Sequence, residues 1–169
     1  MSPSPFTCFL GRIEHPGLRT VASHWNDVRD DRLMPAWRDI DPTKIARQLG
    51  HVWAYSYDRD AESFTGRLAG AEIERVFGKA FRGQPMRALF PDSEFDAMFR
   101  IHHRIVAEPC FLYGRGMVFD NLGNVGTGER ICLPVADDGA HADGIVGATQ
   151  YVFGTPNPEP RSEEYFPLR

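Results

Sequence analysis

Two adjacent histidines, His102 and His103, stand in the segment IHHRIVAE, where apolar residues recur at helical spacing. His102 follows Met98 by four residues and precedes Ile105 by three, so these three side chains share one face of the predicted helix. A neutral imidazole on a buried face can ligate haem iron. It can equally donate a hydrogen bond to a backbone carbonyl and serve packing alone. Both interpretations stay open, with haem the less favoured, and no other metal site is predicted.

Three carboxylates in the middle of the chain could serve as the acid or base of a small α+β barrel enzyme such as an isomerase or dehydratase. They are Asp58, Glu72 and Glu74. Glu72 and Glu74 fall off the apolar face of their predicted helix. The sequence has no nucleophile elbow, phosphate-binding loop or metal-ligand motif. We therefore expect no enzymatic activity and assign no catalytic residue.

Arg67 is a charged residue with two alternative roles. Its guanidinium could hold the carboxylate of an anionic ligand through paired hydrogen bonds. It could instead form an ion pair with Asp39 or Asp41 and attach the N-terminal helices to a sheet. We expect the structural role.

Composition excludes several classes of partner. The net charge is −4 and basic residues form no cluster, so we expect no nucleic-acid partner. No apolar run is long enough for a membrane span, and the first residues lack the features of a signal peptide. Cys8, Cys110 and Cys132 have no zinc-ligand spacing and fit a reducing compartment. Cys110 and Cys132 are expected to pack as small apolar residues, with a redox role as the alternative. These features predict a cytoplasmic protein.

Helical periodicity marks three longer segments, at residues 18–33, 39–51 and 92–108. The first carries a narrow apolar stripe that includes Trp25 and Leu33, which suits a dimer contact or a cover for the sheet. In the second, Asp41 is placed to cap the helix N-terminus.

Five strands are predicted at residues 51–58, 63–70, 110–120, 129–137 and 144–153. Short links between them indicate an antiparallel sheet of α+β class, with helices inserted after the second strand. The helices are expected to lie across one face and to leave a cavity. Residues 1–17 are predicted as a flexible arm, 18–154 as one domain with an N-terminal helical extension, and 155–169 as a flexible tail.

The segment GRLAGAEIERVFGKAFRGQPMRALF, residues 66–90, contains a short helix enclosed by Gly70, Gly78 and Gly83. Glycine permits backbone angles and close approaches that a side chain would block. We interpret the three glycines as corners of a wall around a pocket. Compact packing without any ligand would require the same corners, so that alternative stays open.

Three segments in this order resemble a PAS domain, and more narrowly the bacterial single-domain PAS proteins of the PAS_5 family. They are RLMPAWRDIDPTKIARQLGHV, FTGRLAGAEIERVFGKAFRGQPMRALFP and ERICLPVADDG, and they span nearly all of the segment expected to be ordered. The middle segment is the specific one, because it carries together Arg67, Gly70, Phe77, Gly78 and Gly83. The chain departs from the family pattern at Asp30 and Asp31, where two glycines are expected, and at AFRG, where a short polar stretch is usual.

The resemblance implies a five-stranded antiparallel sheet in the order 2-1-5-4-3, with a helical cap around a small-molecule pocket. It implies a sensory or interaction role rather than an enzyme. The candidate pocket wall, placed by this fold, is Trp53, Tyr55, Leu68, Ile73, Phe77, Met86, Leu89, Met98, His102, Tyr113 and Met117. The candidate structural motif is Asp41, Arg67, Gly70, Gly78 and Gly83.

The sequence therefore predicts a sensor that binds a small molecule and passes its signal to a separate protein, and that forms a homodimer. A ligand-free interaction module is the alternative. The sequence identifies no cofactor. A flavin is disfavoured, because VFGKAFRG lacks the cysteine that photosensing relatives carry there.

Overall fold

An antiparallel sheet of six strands organises the chain, of which a computed structural model describes residues 2–121, 124–154 and 159–169. The strands are β1 Val52–Asp58, β2 Ser63–Ala69, β3 Cys110–Asn121, β4 Asn124–Val135, β5 Gly144–Val152 and β6 Ser162–Pro167. Their order in the sheet is β2-β1-β5-β4-β3-β6. The α+β class, the five predicted strands and their order 2-1-5-4-3 are thus confirmed.

The sixth strand corrects the prediction of a five-stranded sheet. β6 pairs with β3 in antiparallel register, with Tyr165 opposite Leu112, and it lies in the segment predicted as a flexible tail. The strand was not predicted, because a segment rich in proline and charged residues is typical of a flexible tail. Pro167 is its last residue, at the edge of the sheet, where a missing N–H is tolerated. Residues 155–158 of that predicted tail lie outside the described part of the chain.

The helices are α1 Pro5–Arg12, α2 Pro16–Arg29, α3 Ala71–Phe77, α4 Met86–Leu89 and α5 Asp92–Ala107. Two 3₁₀ segments, Trp37–Asp39 and Pro42–His51, precede β1. The helix predicted at residues 39–51 is thus replaced by 3₁₀ turns, and the second segment has a kink at Ile45, whose backbone angles are not helical. In the described part of the chain, no helix is both long and apolar enough to cross a membrane.

Helix α1 corrects the interpretation of residues 1–17 as an arm without regular structure. Ser4 caps the helix by accepting a hydrogen bond from the backbone N–H of Thr7 at 3.2 Å. Pro5 occupies the first turn, where no N–H is needed. Phe9 is fully buried and stacks on Phe111 of β3, with 4.8 Å between ring centroids. The three prolines concealed a helix that packs on the sheet.

Helix α2 is shorter than predicted and packs on its own sheet. It ends at Arg29, and Asp30 follows with φ 54° and ψ −130°, so Leu33 lies beyond the helix. Trp25 is fully buried, and its Nε1 donates to the carbonyl of Pro134 at 2.8 Å. The apolar stripe therefore covers the sheet, and Trp25 is not exposed to a second copy.

The two faces of the sheet carry different helices. On one face, Phe9 of α1 and Trp25 of α2 contact Phe111. On the other, Trp53 and Tyr55 of β1 contact His102 of α5. We call α3, α4, α5 and their connections, residues 71–107, the cap. Both faces are thus covered, and the space between the sheet and the cap is the interior in which a site can form.

Candidate functional site

A small cavity lies between the sheet and the cap, and we call it the inner cavity. Its volume is about 20 Å³, which is enough for one water-sized group. Ten described residues line it: Trp53, Tyr55, Phe77, Phe81, Phe90, His102, Val118, Arg130, Thr149 and Tyr151. The lining is mostly aromatic, with a few polar groups among the rings.

Four of the predicted wall residues line the inner cavity, namely Trp53, Tyr55, Phe77 and His102. The Trp53 indole N–H donates to the hydroxyl of Thr149 at 2.9 Å, which fixes the ring against β5. The ring lies over Gly147, where an added Cβ would come within 2.2 Å of it. Strand β5 therefore needs a glycine at this point to accept the tryptophan.

A second, larger cavity adjoins the first, and we call it the outer cavity. Its volume is about 300 Å³, and its lining includes two predicted wall residues, Met98 and Met117. Glu94, Arg161 and Glu163 also line it. Phe90 and Val118 line both cavities. These two side chains thus form the partition between the inner and outer cavities.

The other predicted wall residues lie elsewhere. Ile73, Met86 and Leu89 are buried in the core and do not belong to the lining of either cavity. Leu68 pairs with Ala54, and Tyr113 pairs with Ile131, so both face away from the cap. The prediction for these five residues is wrong. For Leu68 the reason is an irregular register after Gly66, which inserts Arg67 as an extra residue and reverses the alternation.

His102 is buried against aromatic rings and held by its own helix. Its Nδ1 lies 2.7 Å from the carbonyl oxygen of Met98, which places the ring proton on Nδ1 and leaves Nε2 as an acceptor. Burial, with a smaller contribution from the nearby charge of Arg130, lowers the pKa of His102 to about 3. The imidazole is therefore neutral at pH 7. A cavity the size of a water molecule has no room for a porphyrin, so the haem interpretation does not fit.

Arg130 is a residue of the cavity lining that sequence reasoning missed. The residue is only 5% exposed, and its Nε and Nη2 atoms have no hydrogen-bond acceptor in the described structure. Among the described residues, its Nη1 meets a weak acceptor, the sulfur of Met98 at 3.7 Å. The guanidinium stays protonated in proteins, so the site holds a buried positive charge. The signal was present in ERICLPV, where a charged residue interrupts a strand expected to be covered by helices.

The other titratable groups around the inner cavity are neutral at pH 7. Burial raises the pKa of Tyr55 well above its ordinary value, and it raises the pKa of Tyr151 to about 12. With His102 also neutral, Arg130 carries the only charge among the ten described lining residues. The cavity is thus an aromatic interior with one positive charge.

The comparison with protein families agrees with this architecture. A family model described as a PAS domain, PAS_5, matches residues 13–150. The chain belongs to the PAS_5 family. No curated protein and no solved structure gives a significant match. PAS domains are in general sensory or interaction modules, and this chain is such a module in that general sense.

The glycines of the PAS motif have two distinct roles. Gly70 permits a close approach, because a Cβ there would lie 2.0 Å from the carbonyl oxygen of Leu49. Gly78 and Gly83 instead have φ of 67° and 80°, and Gly78 ends α3 in the left-handed conformation. The predicted close approach or special backbone angle at each of these three glycines is therefore confirmed.

Arg67 attaches the segment before β1 to the sheet, but by a contact different from the predicted one. Its guanidinium lies over the ring of Trp37, 4.8 Å from the centroid. The predicted ion pair is not formed: Asp39 instead binds Arg32 at 2.6 Å. Asp41 accepts from the backbone N–H of Thr43 at 2.9 Å, which confirms its capping role.

The carboxylates considered for enzymatic chemistry lie outside both cavities of the PAS domain. Asp58 is exposed and accepts hydrogen bonds from the turn that follows β1. Glu72 forms an ion pair with Arg75 at 2.7 Å. Glu74 accepts from the backbone N–H of Phe81 at 3.3 Å. None of these three lines the inner cavity.

Two of the three cysteines pack in the core, as expected. Burial raises the pKa of Cys110 to about 11 and that of Cys132 to about 12, so both are thiols at neutral pH. Cys8 is exposed. In the described part of the chain, no group of three or more His, Cys, Asp or Glu side chains is arranged to hold a metal ion.

Proposed function

We propose that this PAS domain binds a small molecule between the sheet and the cap and passes the resulting change to a separate signalling protein. One observation supports the proposal above the others. Arg130 is buried at the inner cavity, with two N–H groups that meet no acceptor in the described protein. Buried polar groups are nearly always hydrogen-bonded, and an unpaired buried charge is strongly unfavourable. A bound ligand would supply the missing partner.

The cap contains the elements that could respond to such a ligand. Between α3 and α5 the chain forms turns, an isolated bridge from Pro85 to Thr65 of β2 and the four-residue helix α4, and Phe90 follows α4 directly. Phe90 packs edge-on against Phe77, with 5.4 Å between ring centroids. A ligand that displaces Phe90 would favour a different packing of this segment, which is a shift between conformational populations. A partner protein would then recognise the altered cap.

Native mass spectrometry of the protein purified from its own cells tests ligand binding. We expect an additional mass per chain that disappears on denaturation. The matched control is Val118→Phe, which enlarges a side chain of the partition and should lose the additional mass while the circular dichroism spectrum stays native. A bare mass for the unsubstituted protein would contradict the proposal.

A second function, a ligand-free interaction module, is supported by the small volume of the inner cavity. At about 20 Å³ the interior is nearly filled by the protein's own side chains. Val152 and Phe153 at the end of β5 are also large apolar residues with exposures of 56% and 44%. In this alternative, a bare mass would accompany capture of one defined partner, or a homodimer, through that exposed end. Replacing both residues by serine would then abolish the association.

A further inference from the structure

We infer that the ligand is an organic acid whose carboxylate binds Arg130 in the inner cavity and whose apolar body occupies the outer cavity. This inference rests on the proposed function and specifies the chemical class of the ligand. It follows from the geometry of the unbonded N–H groups, from the charge balance of the interior and from the sizes of the two cavities.

The unbonded atoms of Arg130 are the pair that receives a carboxylate side-on. Nε–H and Nη2–H lie on the same edge of a guanidinium and can donate two parallel hydrogen bonds. Two other arginines of this chain use the same edge: Arg12 binds Glu164 and Arg75 binds Glu72 through Nε and Nη2. At Arg130 the edge is buried and has no such partner in the described structure.

The neighbouring acidic residue forms an ion pair with a different arginine, although its Oε1 atom makes no hydrogen bond of good geometry. Glu163 of β6 and Arg130 of β4 both lie opposite Gly114 of β3, on the cap side of the sheet. The Glu163 carboxylate lies 2.8 Å from Nε of Arg161, and Arg161 also lies 3.6 Å from Glu94. Among the described residues, no carboxylate forms an ion pair with Arg130. A direct hydrogen-bond partner for Nε and Nη2 of Arg130 would therefore have to come from a group outside the described residues.

The charge balance indicates one negative charge on the ligand. His102 and the tyrosines of the lining are neutral, so Arg130 is balanced by a single anionic group. A carboxylate satisfies this requirement. A doubly charged phosphate would leave a net negative charge in an aromatic interior, which is unfavourable.

The sizes of the cavities place the two parts of the ligand. The inner cavity, at about 20 Å³, has room for one water-sized group, so a carboxylate head fits there only when a lining side chain moves. The outer cavity, at about 300 Å³, has one apolar side, formed by Met98, Met117, Phe90 and Val118, and the charged residues Glu94, Arg161 and Glu163 form the rest of its lining. Since Phe90 and Val118 separate the two spaces, a modest movement of either side chain would join them. An acid with its head at Arg130 then has its body against the two methionines, which adapt readily to different shapes.

Calorimetric titration with matched acids and amides tests the inference. The probes are hexanoate and phenylacetate, their uncharged counterparts hexanamide and phenylacetamide, and acetate, which has a head without a body. We expect hexanoate or phenylacetate to bind about tenfold or more tightly than its amide, as charge-assisted hydrogen bonds predict. Acetate should bind more weakly than either larger acid.

Two variants assign the preference to Arg130. Arg130→Met should abolish the acid-over-amide preference, whereas Arg130→Lys, which keeps the charge but loses the paired donors, should reduce it. Arg12→Met removes an exposed arginine on the opposite face and should leave the preference unchanged. If Arg130→Met does not fold, Arg130→Lys decides the result.

The outcomes separate this inference from the proposed function. Equal binding of acid and amide would overturn the carboxylate assignment while leaving ligand binding in place. Tight binding of acetate, equal to that of the larger acids, would show a site for small anions and would overturn the assignment of an apolar body. Absence of binding by every probe would overturn the inference. Native mass spectrometry of the protein purified from its own cells would still decide the proposed function.

Discussion

Removing the buried charge of Arg130 should stabilise the protein when no ligand is present. Arg130→Met deletes the guanidinium and its two unbonded N–H groups, while the unbranched methionine keeps most of the apolar stem in place. Each unsatisfied buried donor costs roughly 1–3 kcal/mol, and loss of packing at the end of the side chain offsets part of the gain. We expect the free energy of unfolding to rise by about 2 kcal/mol. For a chain of this length that corresponds to a rise in Tm of about 4–8 °C.

The assay is urea and thermal unfolding of protein stripped of small molecules by unfolding, desalting and refolding. Arg130→Lys keeps a buried charge and should show no such gain, and Arg12→Met at an exposed ion pair should change stability by less than about 0.5 kcal/mol. Addition of a binding acid should reverse the order, because it stabilises only the protein that retains Arg130. Destabilisation of stripped Arg130→Met by about 2 kcal/mol or more would refute the reasoning, since it would show that the guanidinium has a partner within the protein.

Three further predictions follow from backbone and titration geometry. Asp30→Gly should raise the free energy of unfolding by about 1 kcal/mol, because φ 54° with ψ −130° suits glycine, whereas Asp31→Gly should give no gain in the same urea titration. Gly70→Ala should lower the free energy of unfolding by about 3 kcal/mol or more, since the new Cβ would lie 2.0 Å from the backbone oxygen of Leu49. Gly11→Ala, with no atom within 4 Å of the new Cβ, is its control, and equal effects would contradict the account. Because the pKa of His102 falls to about 3 on folding, below its ordinary 6.5, its neutral form stabilises the fold fully above pH 6.5. That stability is lost as the pH falls from 6.5 towards 3, so His102→Leu should flatten the pH dependence of unfolding there, and an unchanged slope would refute the assignment.

Local signals in the sequence were sufficient for most of the framework. Alternating residues and turn-rich links indicate each of β1 to β5, and the apolar face of α5 places His102 towards the sheet. Asp41 accepts a hydrogen bond at a helix N-terminus, and Gly78 has left-handed backbone angles at a helix C-terminus. Both features involve only neighbouring backbone, so the two roles follow from residue type and position.

The elements that the sequence did not show depend on distant contacts. β6 forms by pairing with the free edge of β3, and α1, whose start is marked locally by Ser4 and Pro5, is held on the sheet by the contact between Phe9 and Phe111. Likewise, the face that Tyr113 presents is set by the register of its strand against β4. These contacts join segments far apart in sequence, and no local pattern encodes them.

The site was the least predictable part for the same reason. Phe81 and Thr149 reach the inner cavity from separate elements, so only the assembled fold brings them together. Arg130 has a sequence signal, a charge within a covered strand, but its importance comes from the absence of an acceptor at Nε and Nη2 in the described structure. That property belongs to the packed interior and cannot be read from spacing.

The central claim is that Arg130 receives the carboxylate of a ligand, and its side-chain Nε–H reports this directly. We would record ¹H–¹⁵N correlation spectra of the arginine Nε–H groups and assign the Arg130 signal as the one absent from Arg130→Met. On titration with hexanoate or phenylacetate, we predict a downfield proton shift of this signal that saturates with binding, and no such shift with the matched amide. An Arg130 signal that stays in place while the acid saturates the protein would contradict the claim.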